Sequence, residues 1–386
     1  MRFSSTLIAP AAAAVVCTFA LAGPFRPAAA APTSGAPITV GVILSITGPY
    51  APLGEPERNA FVLAEKEINE HGGVNGRPIK FLIENDEGKA DTAAQLATSL
   101  IGQNVALLIG GSLTPTSAAI ARVTNDKKVF QIYMTPTKQL WETRGGVLKY
   151  LFEATPANEL EAVKLLTYAR TKLKMKKMAL MHDDAPYGTQ GSAIVKDEAA
   201  RQDVNIVADE PFPITATDVT AQLGRVKANG ADTIFIWTAS PVAALAVRQI
   251  RQLGLKLNIV GSTGIVSNTF LTVTGKDGEG VLADMDLNIS HPNKVQADFL
   301  AAYEAAYKGR PANFASFAWD AAHLAALTLA KANGKSGGDS LAAALISLKP
   351  YGGTTGTYRY SESDHNGLRP DDIHMAIDRN AVWETF

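Results

Sequence analysis

A single cysteine, Cys17, is the whole thiol content of this 386-residue chain. It lies inside the apolar run Leu7–Ala22, which follows Arg2 and precedes the small-residue stretch Ala28–Ala31. A positive start, a short apolar run and an Ala-x-Ala step have the form of a secretory signal peptide. Residues 1–30 are therefore expected to be cleaved on export, leaving a soluble periplasmic chain without cysteine. That excludes disulfides, thiol catalysis and cysteine-held metal. A lipoprotein anchor does not fit, because Val16 precedes Cys17 and the apolar run continues past it.

An excess of one charge is missing too. The chain has 36 Lys and Arg against 37 Asp and Glu, a net charge of −1, with no basic or acidic block. Nucleic acid and anionic membranes are not expected partners. Beyond the leader, no segment reaches the roughly 20 apolar residues of a membrane-spanning helix. Catalytic patterns are absent as well. There is no Gly-x-Ser-x-Gly step. Gly334-Lys335-Ser336 has Leu329 where a phosphate-binding loop needs its first glycine. The six histidines are scattered, and His182-Asp183-Asp184 are adjacent residues that do not converge on one metal. The expectation is no enzyme, no cofactor and no metal site.

What the chain does have is a repeated strand–loop–helix rhythm. Ile38–Leu44 is an unbroken apolar, β-branched run, as in a strand buried on both faces. A loop, Ser45–Gly54, leads to a helix over 55–70, which His71-Gly72-Gly73 ends. Strands are then expected near Ile79, Val105, Val129, Met178, Asn205, Thr233 and Asn258, each followed by an amphipathic stretch. This alternation predicts an α/β fold with parallel sheets covered by helices. About 355 mature residues exceed one core, so two doubly wound, Rossmann-like lobes are expected. Crossovers near Thr155-Pro156, Asp284 and Pro370 would assign 37–155 plus 285–369 to the first lobe. The second would hold 156–284 plus 370–386.

Five pieces in order make the chain resemble a known family. They are Ile38–Leu44 with Thr47-Gly48-Pro49, Gly72-Gly73-Val74-Asn75-Gly76-Arg77, Ile109-Gly110-Gly111-Ser112, His182–Gly188 and Leu253-Gly254. The whole mature chain is similar to the type I periplasmic solute-binding proteins of branched-chain amino acid (Leu/Ile/Val) ABC transporters. The resemblance implies two lobes joined by three crossover strands that close over a solute, and docking onto permease subunits of the inner membrane. A monomer is expected. A periplasmic sensor for a signalling receptor would use the same fold, and a secreted hydrolase is a third, remoter class.

Ligands of open parallel sheets sit beyond the strand carboxyl ends, near helix N-termini, where free N–H groups favour an anion. In lobe one those loops carry Thr47 and Tyr50, then Ser112, Leu113 and Thr114, then Thr135 and Thr137. Thr114 can equally be a helix cap. Thr135 and Thr137 are common strand-end residues, and Lys138 suits a solvated loop. The resemblance places a carboxylate grip on Thr114, Thr135 and the Thr137–Gln139 stretch. It also places Ala239 and Thr263 where amino-acid-binding relatives hold the ligand's ammonium with a tyrosine and a glutamate. Neither replacement carries charge, although Asp183 or Asp184 can substitute if not a loop or cap residue. Tyr187 and Trp237 supply aromatic surface on lobe two. Trp237 is as well suited to the core, and Phe317 and Trp319 to a packed helix. The expected ligand is a small carboxylate without an ammonium group, of the benzoate or hydroxycinnamate type. Branched-chain or other amino acids are the alternative.

Overall fold

The computed structural model describes Met1 and residues 33–386. The expected signal peptide falls almost wholly outside the described residues. In lobe one, β1 (Ile38–Leu44), β2 (Ile79–Asn85), β3 (Leu108–Gly110) and β4 (Gln131–Tyr133) precede the small hairpin β5 (Glu142–Thr143) and β6 (Gly146–Val147). After them comes β7 (Leu151–Glu153). These form a parallel sheet in the order β2-β1-β3-β4-β7, leaving the hairpin apart. Val40, Val42, Ile43 and Leu44 are all fully buried, which is why β1 reads as a continuous apolar run.

Lobe two contains β8 (Lys177–Asp183), β9 (Asn205–Phe212), β10 (Thr233–Trp237), β11 (Asn258–Gly261) and β12 (Leu282–Met285). A second small hairpin, β13 (Tyr351–Gly352) with β14 (Thr357–Tyr358), precedes β15 (His374–Arg379) and β16 (Val382–Thr385). The large sheet runs β16-β15-β12-β11-β10-β8-β9. Its last two strands are antiparallel to their neighbours, a departure from the all-parallel expectation. The chain returns to this sheet once through the crossover after Pro370 and then doubles back at Asn380-Ala381.

Helices follow the strands at the expected places. The helix Asn268–Thr274 was not anticipated. Its Thr, Val and Phe content resembles a strand, and a Ser267 cap on Phe270 N–H fixes it instead. The helix Asn313–Ala332 buries 16 of its 20 residues, with only the short stripe His323, Leu327, Ala330 and Lys331 reaching solvent; a helix so largely covered belongs in an interior. It packs along the helix Ala51–Glu70. No helix among the described residues is long and apolar enough to cross a membrane.

Candidate functional site

Between the lobes lies a cleft with about 620 Å³ of space not filled by protein atoms, its solvent-open mouth included. Its lobe-one wall is built at strand tips. Ser112, Leu113 and Thr114 come from the loop after β3, and Met134, Thr135 and Pro136 follow β4. Thr114 opens the helix Thr114–Lys127, whose first N–H groups have no intrahelical acceptor. Thr114 Oγ1 lies 3.3 Å from Thr137 Oγ1. One of the two hydroxyls gives its hydrogen to the other, which leaves one hydrogen free for a ligand. Thr135 Oγ1 donates to Ser117 Oγ at 3.0 Å, so it offers a ligand lone pairs rather than a hydrogen.

The facing wall carries Asp183, Ala185, Tyr187, Ala239, Thr263 and Gly264. Tyr50, Leu53, Phe314 and Phe317 complete an apolar enclosure. Phe314 and Phe317 meet edge to face at 5.8 Å. Tyr187 Oη and Thr155 Oγ1 are buried without a hydrogen-bond partner. Burial, with the charges of Asp183 and Asp184, pushes the Tyr50 phenol up to about 12, so it stays a neutral donor across the physiological range.

Asp183 caps the helix Pro186–Arg201. Its Oδ1 accepts from the N–H groups of Ala185 (3.0 Å) and Gly188 (3.2 Å), and its Oδ2 accepts from Thr238 Oγ1 at 2.5 Å. A Cβ at position 188 would collide with the Asp183 carboxylate, so glycine is needed for that approach. The cap reading of Asp183 fits this geometry, while Asp184 is exposed.

Of the residues singled out from the sequence, Tyr50, Ser112, Leu113, Thr114, Thr135, Tyr187, Ala239 and Thr263 line the cavity. Thr137 stands one layer behind, bonded to Thr114. Two others are elsewhere. Thr47 is exposed, its hydroxyl accepting from Asn85 Nδ2 at 2.7 Å. Trp237 is 1 % exposed and packs behind Tyr187, ring centroids 6.1 Å apart. The indole fills the space where Gly191 has no Cβ; the core alternative for this tryptophan is the one observed. Lys138 pairs with Glu142 at 2.7 Å on the surface. Phe317, assigned from sequence to packing alone, also faces the cavity, and Phe314 was missed. Trp319 does pack, against Phe299 at 5.0 Å.

The sequence also hid a layer of acids behind Thr263. Asn313 Nδ2 donates to Thr263 Oγ1 (2.6 Å) and to Asp286 Oδ2 (3.0 Å). Glu161 and Asp284 are buried beside them, and neither carboxyl has a side-chain partner. Burial holds both well above the usual carboxylate range, and neighbouring acid charges push the same way. Burial raises Asp286 to about 7, against the Asn313 bond. Among the described residues no group of three or more His, Cys, Asp or Glu is arranged to hold a metal ion.

These acids carry a stability prediction. A carboxyl raised on folding binds its proton more tightly in the native state. Its contribution is complete below the unfolded value, near 4, and is lost as pH rises through about 7. Urea unfolding at pH 5 and pH 7 should therefore show wild type losing stability with rising pH. Asp286→Asn should lose about 2–3 kcal/mol less over that interval, at 1.36 kcal/mol per unit per proton. Equal losses would show that Asp286 ionises normally.

The comparisons with known proteins agree with this architecture. The pattern described as "Periplasmic binding protein" matches residues 37–374. The Leu/Ile/Val-binding protein homolog 3 of Brucella melitensis is 24% identical over 329 residues, covering 85% of this chain and 88% of the relative. A branched-chain amino acid transporter substrate-binding protein from Streptococcus pneumoniae, solved with isoleucine, superposes with a TM-score of 0.81 at 26% identity, covering 91% and 99%. A Rhodopseudomonas palustris solute-binding protein solved with benzoate gives 0.81 at 19% identity, covering 91% and 96%, and shows the fold alone. These relatives are binding proteins rather than enzymes, and the chain belongs to the periplasmic binding protein family.

Proposed function

We propose that this chain captures a small monocarboxylate with a flat apolar body, of the benzoate or hydroxycinnamate kind, and presents it to the permease subunits of an ABC importer. The observation that carries this is the division of the cavity. Hydroxyls and a helix N-terminus lie on one wall, and Tyr187, Phe314, Phe317 and Ala239 surround the rest. A desolvated carboxylate gains charge-assisted bonds at the first wall, each worth about 1.5–3 kcal/mol. A ring against the tyrosine and phenylalanines gains roughly 0.5–1.5 kcal/mol per aromatic pair beyond its area. A buried ammonium finds Ala239 and Thr263, and the one acid on the wall, Asp183, already accepts three hydrogen bonds. An ammonium without a free counter-charge costs several kcal/mol.

Contacts from both lobes make the closed form the better binder, so the ligand draws the equilibrium toward closure. The closed face is what a permease would recognise. The presence of Asp183 on the wall, with relatives named for leucine, isoleucine and valine, favours a second reading, capture of an α-amino acid.

A thermal-shift series at pH 7 with benzoate, 4-hydroxycinnamate, leucine and isoleucine separates the two. The aromatic acids are expected to raise the melting temperature, with about 2.7 kcal/mol of stabilisation at 100 times Kd. Leucine and isoleucine are expected to leave it in place. A shift with the amino acids alone would assign the site to them.

A further inference from the structure

Glu57 lies behind the carboxylate wall, and no part of the reading above uses it. It is fully buried on the helix Ala51–Glu70. Its Oε2 makes a very short hydrogen bond with Ser112 Oγ, and its Oε1 has no partner. Ser112 Oγ also accepts the Ser45 N–H at 3.0 Å. Ser112 itself lines the cavity, so this one hydroxyl connects the buried acid to the cleft.

The hydrogen count then decides what Ser112 can do. A hydroxyl has one hydrogen and two lone pairs. Ser45 N–H occupies one lone pair. If Glu57 is ionised, the Ser112 hydrogen must point back at it, and only a lone pair faces the cleft. A lone pair repels an arriving carboxylate. If Glu57 is neutral, its own O–H fills the second lone pair of Ser112, and the serine hydrogen turns outward as a donor. No proton is transferred in either state; one proton on Glu57 sets the direction of the next hydrogen bond.

We propose that Glu57 is a positioning residue for anion capture: as the neutral acid it donates to Ser112 and thereby aims the Ser112 hydroxyl at the ligand carboxylate. This rests on the monocarboxylate reading and adds to it a proton that binds with the ligand. The surroundings suit a neutral acid. Burial pushes Glu57 up to about 8, against the Ser112 hydrogen bond, and the charge of Asp86 adds to the rise. Asp86, from the loop after β2, is itself buried and raised, and accepts from Ser45 Oγ (2.7 Å) and Gly88 N–H (2.8 Å). The other titratable groups facing this part of the cleft are Tyr50, which stays neutral, and Asp183 across the gap. No cation is paired with Glu57 among the described residues.

Linkage makes the consequence reciprocal: the carboxylate favours neutral Glu57, and neutral Glu57 favours the carboxylate. Titration calorimetry with benzoate and, in parallel, isoleucine tests it, since both carry a carboxylate. From pH 7 to pH 9 the Kd of wild type for the acid that binds should rise about tenfold, as Glu57 passes through its value near 8 and proton uptake per ligand grows from a small fraction toward one. Glu57→Gln supplies a permanent N–H donor to Ser112 and should keep the same Kd at both pH values. Ser112→Ala should bind weakly at both, with its melting temperature as the control for folding. An equal Kd for wild type at pH 7 and 9 overturns the inference, as does the same tenfold loss in Glu57→Gln. If neither acid binds at pH 7, the monocarboxylate reading fails and the inference falls with it. Binding without pH dependence leaves that reading standing and removes Glu57 alone.

Discussion

Replacing Thr114 with valine should weaken binding of the cognate carboxylate by on the order of 10–100-fold, with little change in the stability of the empty protein. Valine keeps the shape and β-branching of threonine at the first position of the helix Thr114–Lys127. It removes only the hydroxyl that sits 3.3 Å from Thr137 Oγ1. With that pair broken, Thr137 still has its hydroxyl, but the donor at the helix N-terminus is gone. A lost charge-assisted hydrogen bond costs about 1.5–3 kcal/mol, which corresponds to this range. Calorimetry for Kd and a melting curve without ligand check the two halves. A fall in melting temperature of the same free energy as the loss of binding would make Thr114 a packing residue. An unchanged Kd would move the carboxylate off this wall.

Asp320→Ala should lower the unfolding free energy by about 3–5 kcal/mol, the largest stability effect we expect of a single change. Asp320 is fully buried on the helix Asn313–Ala332 and gathers the β13–β14 hairpin. Its Oδ1 accepts from Thr354 N–H (2.7 Å) and Thr354 Oγ1 (2.9 Å). Its Oδ2 accepts from Thr355 N–H (2.8 Å) and Tyr358 Oη (3.1 Å). The one hydrogen of Tyr358 Oη is shared between Asp320 and Ala154 O, 2.9 Å away, so the same group fastens the exit from β7. A Cβ at Gly353 would strike the carboxylate, which explains the glycine before Thr354. Alanine leaves two buried N–H groups without their acceptor, at about 1–3 kcal/mol for each, while the Tyr358 and Thr354 hydroxyls keep Ala154 O and Ser316 O. Asp320→Asn retains an acceptor and should cost less. Urea unfolding measures both, and a loss below about 1 kcal/mol for the alanine variant would mean that water or relaxation replaces the carboxylate.

Much of this architecture is written in periodicity. The apolar run Ile38–Leu44 and the repeated strand–loop–helix rhythm declare buried parallel strands and the loops that follow them. Ser112, Thr114 and Thr135 were legible because strand tips before helices collect ligands in this topology. Residues that meet only through long-range folding were not legible. Glu57 lies in Glu55-Pro56-Glu57-Arg58, which has the look of a solvated helix start, and its partner Ser112 is 55 residues away in the loop after β3. Glu161 stands over a hundred residues before Asp284 and Asp286 and meets them only in the folded chain. Phe314 and Phe317 sit in the half of their helix that is buried on every side, and sequence gives no clue which face borders a cavity. Trp237 failed for the opposite reason: strand-end aromatics fit core and cleft equally, and the missing Cβ of Gly191 decided it.

The proposed capture places the anion on lobe one and the apolar body against the rings. A crystal structure of the protein with benzoate, or with whichever carboxylate of the thermal-shift series saturates it, measures this directly. The carboxylate oxygens should lie about 2.7–3.2 Å from donors of Ser112 and Thr114, with the apolar body between Tyr187 and Phe317. A carboxylate turned toward Thr263 and Asp183, or an acid bound outside the cleft, would contradict it.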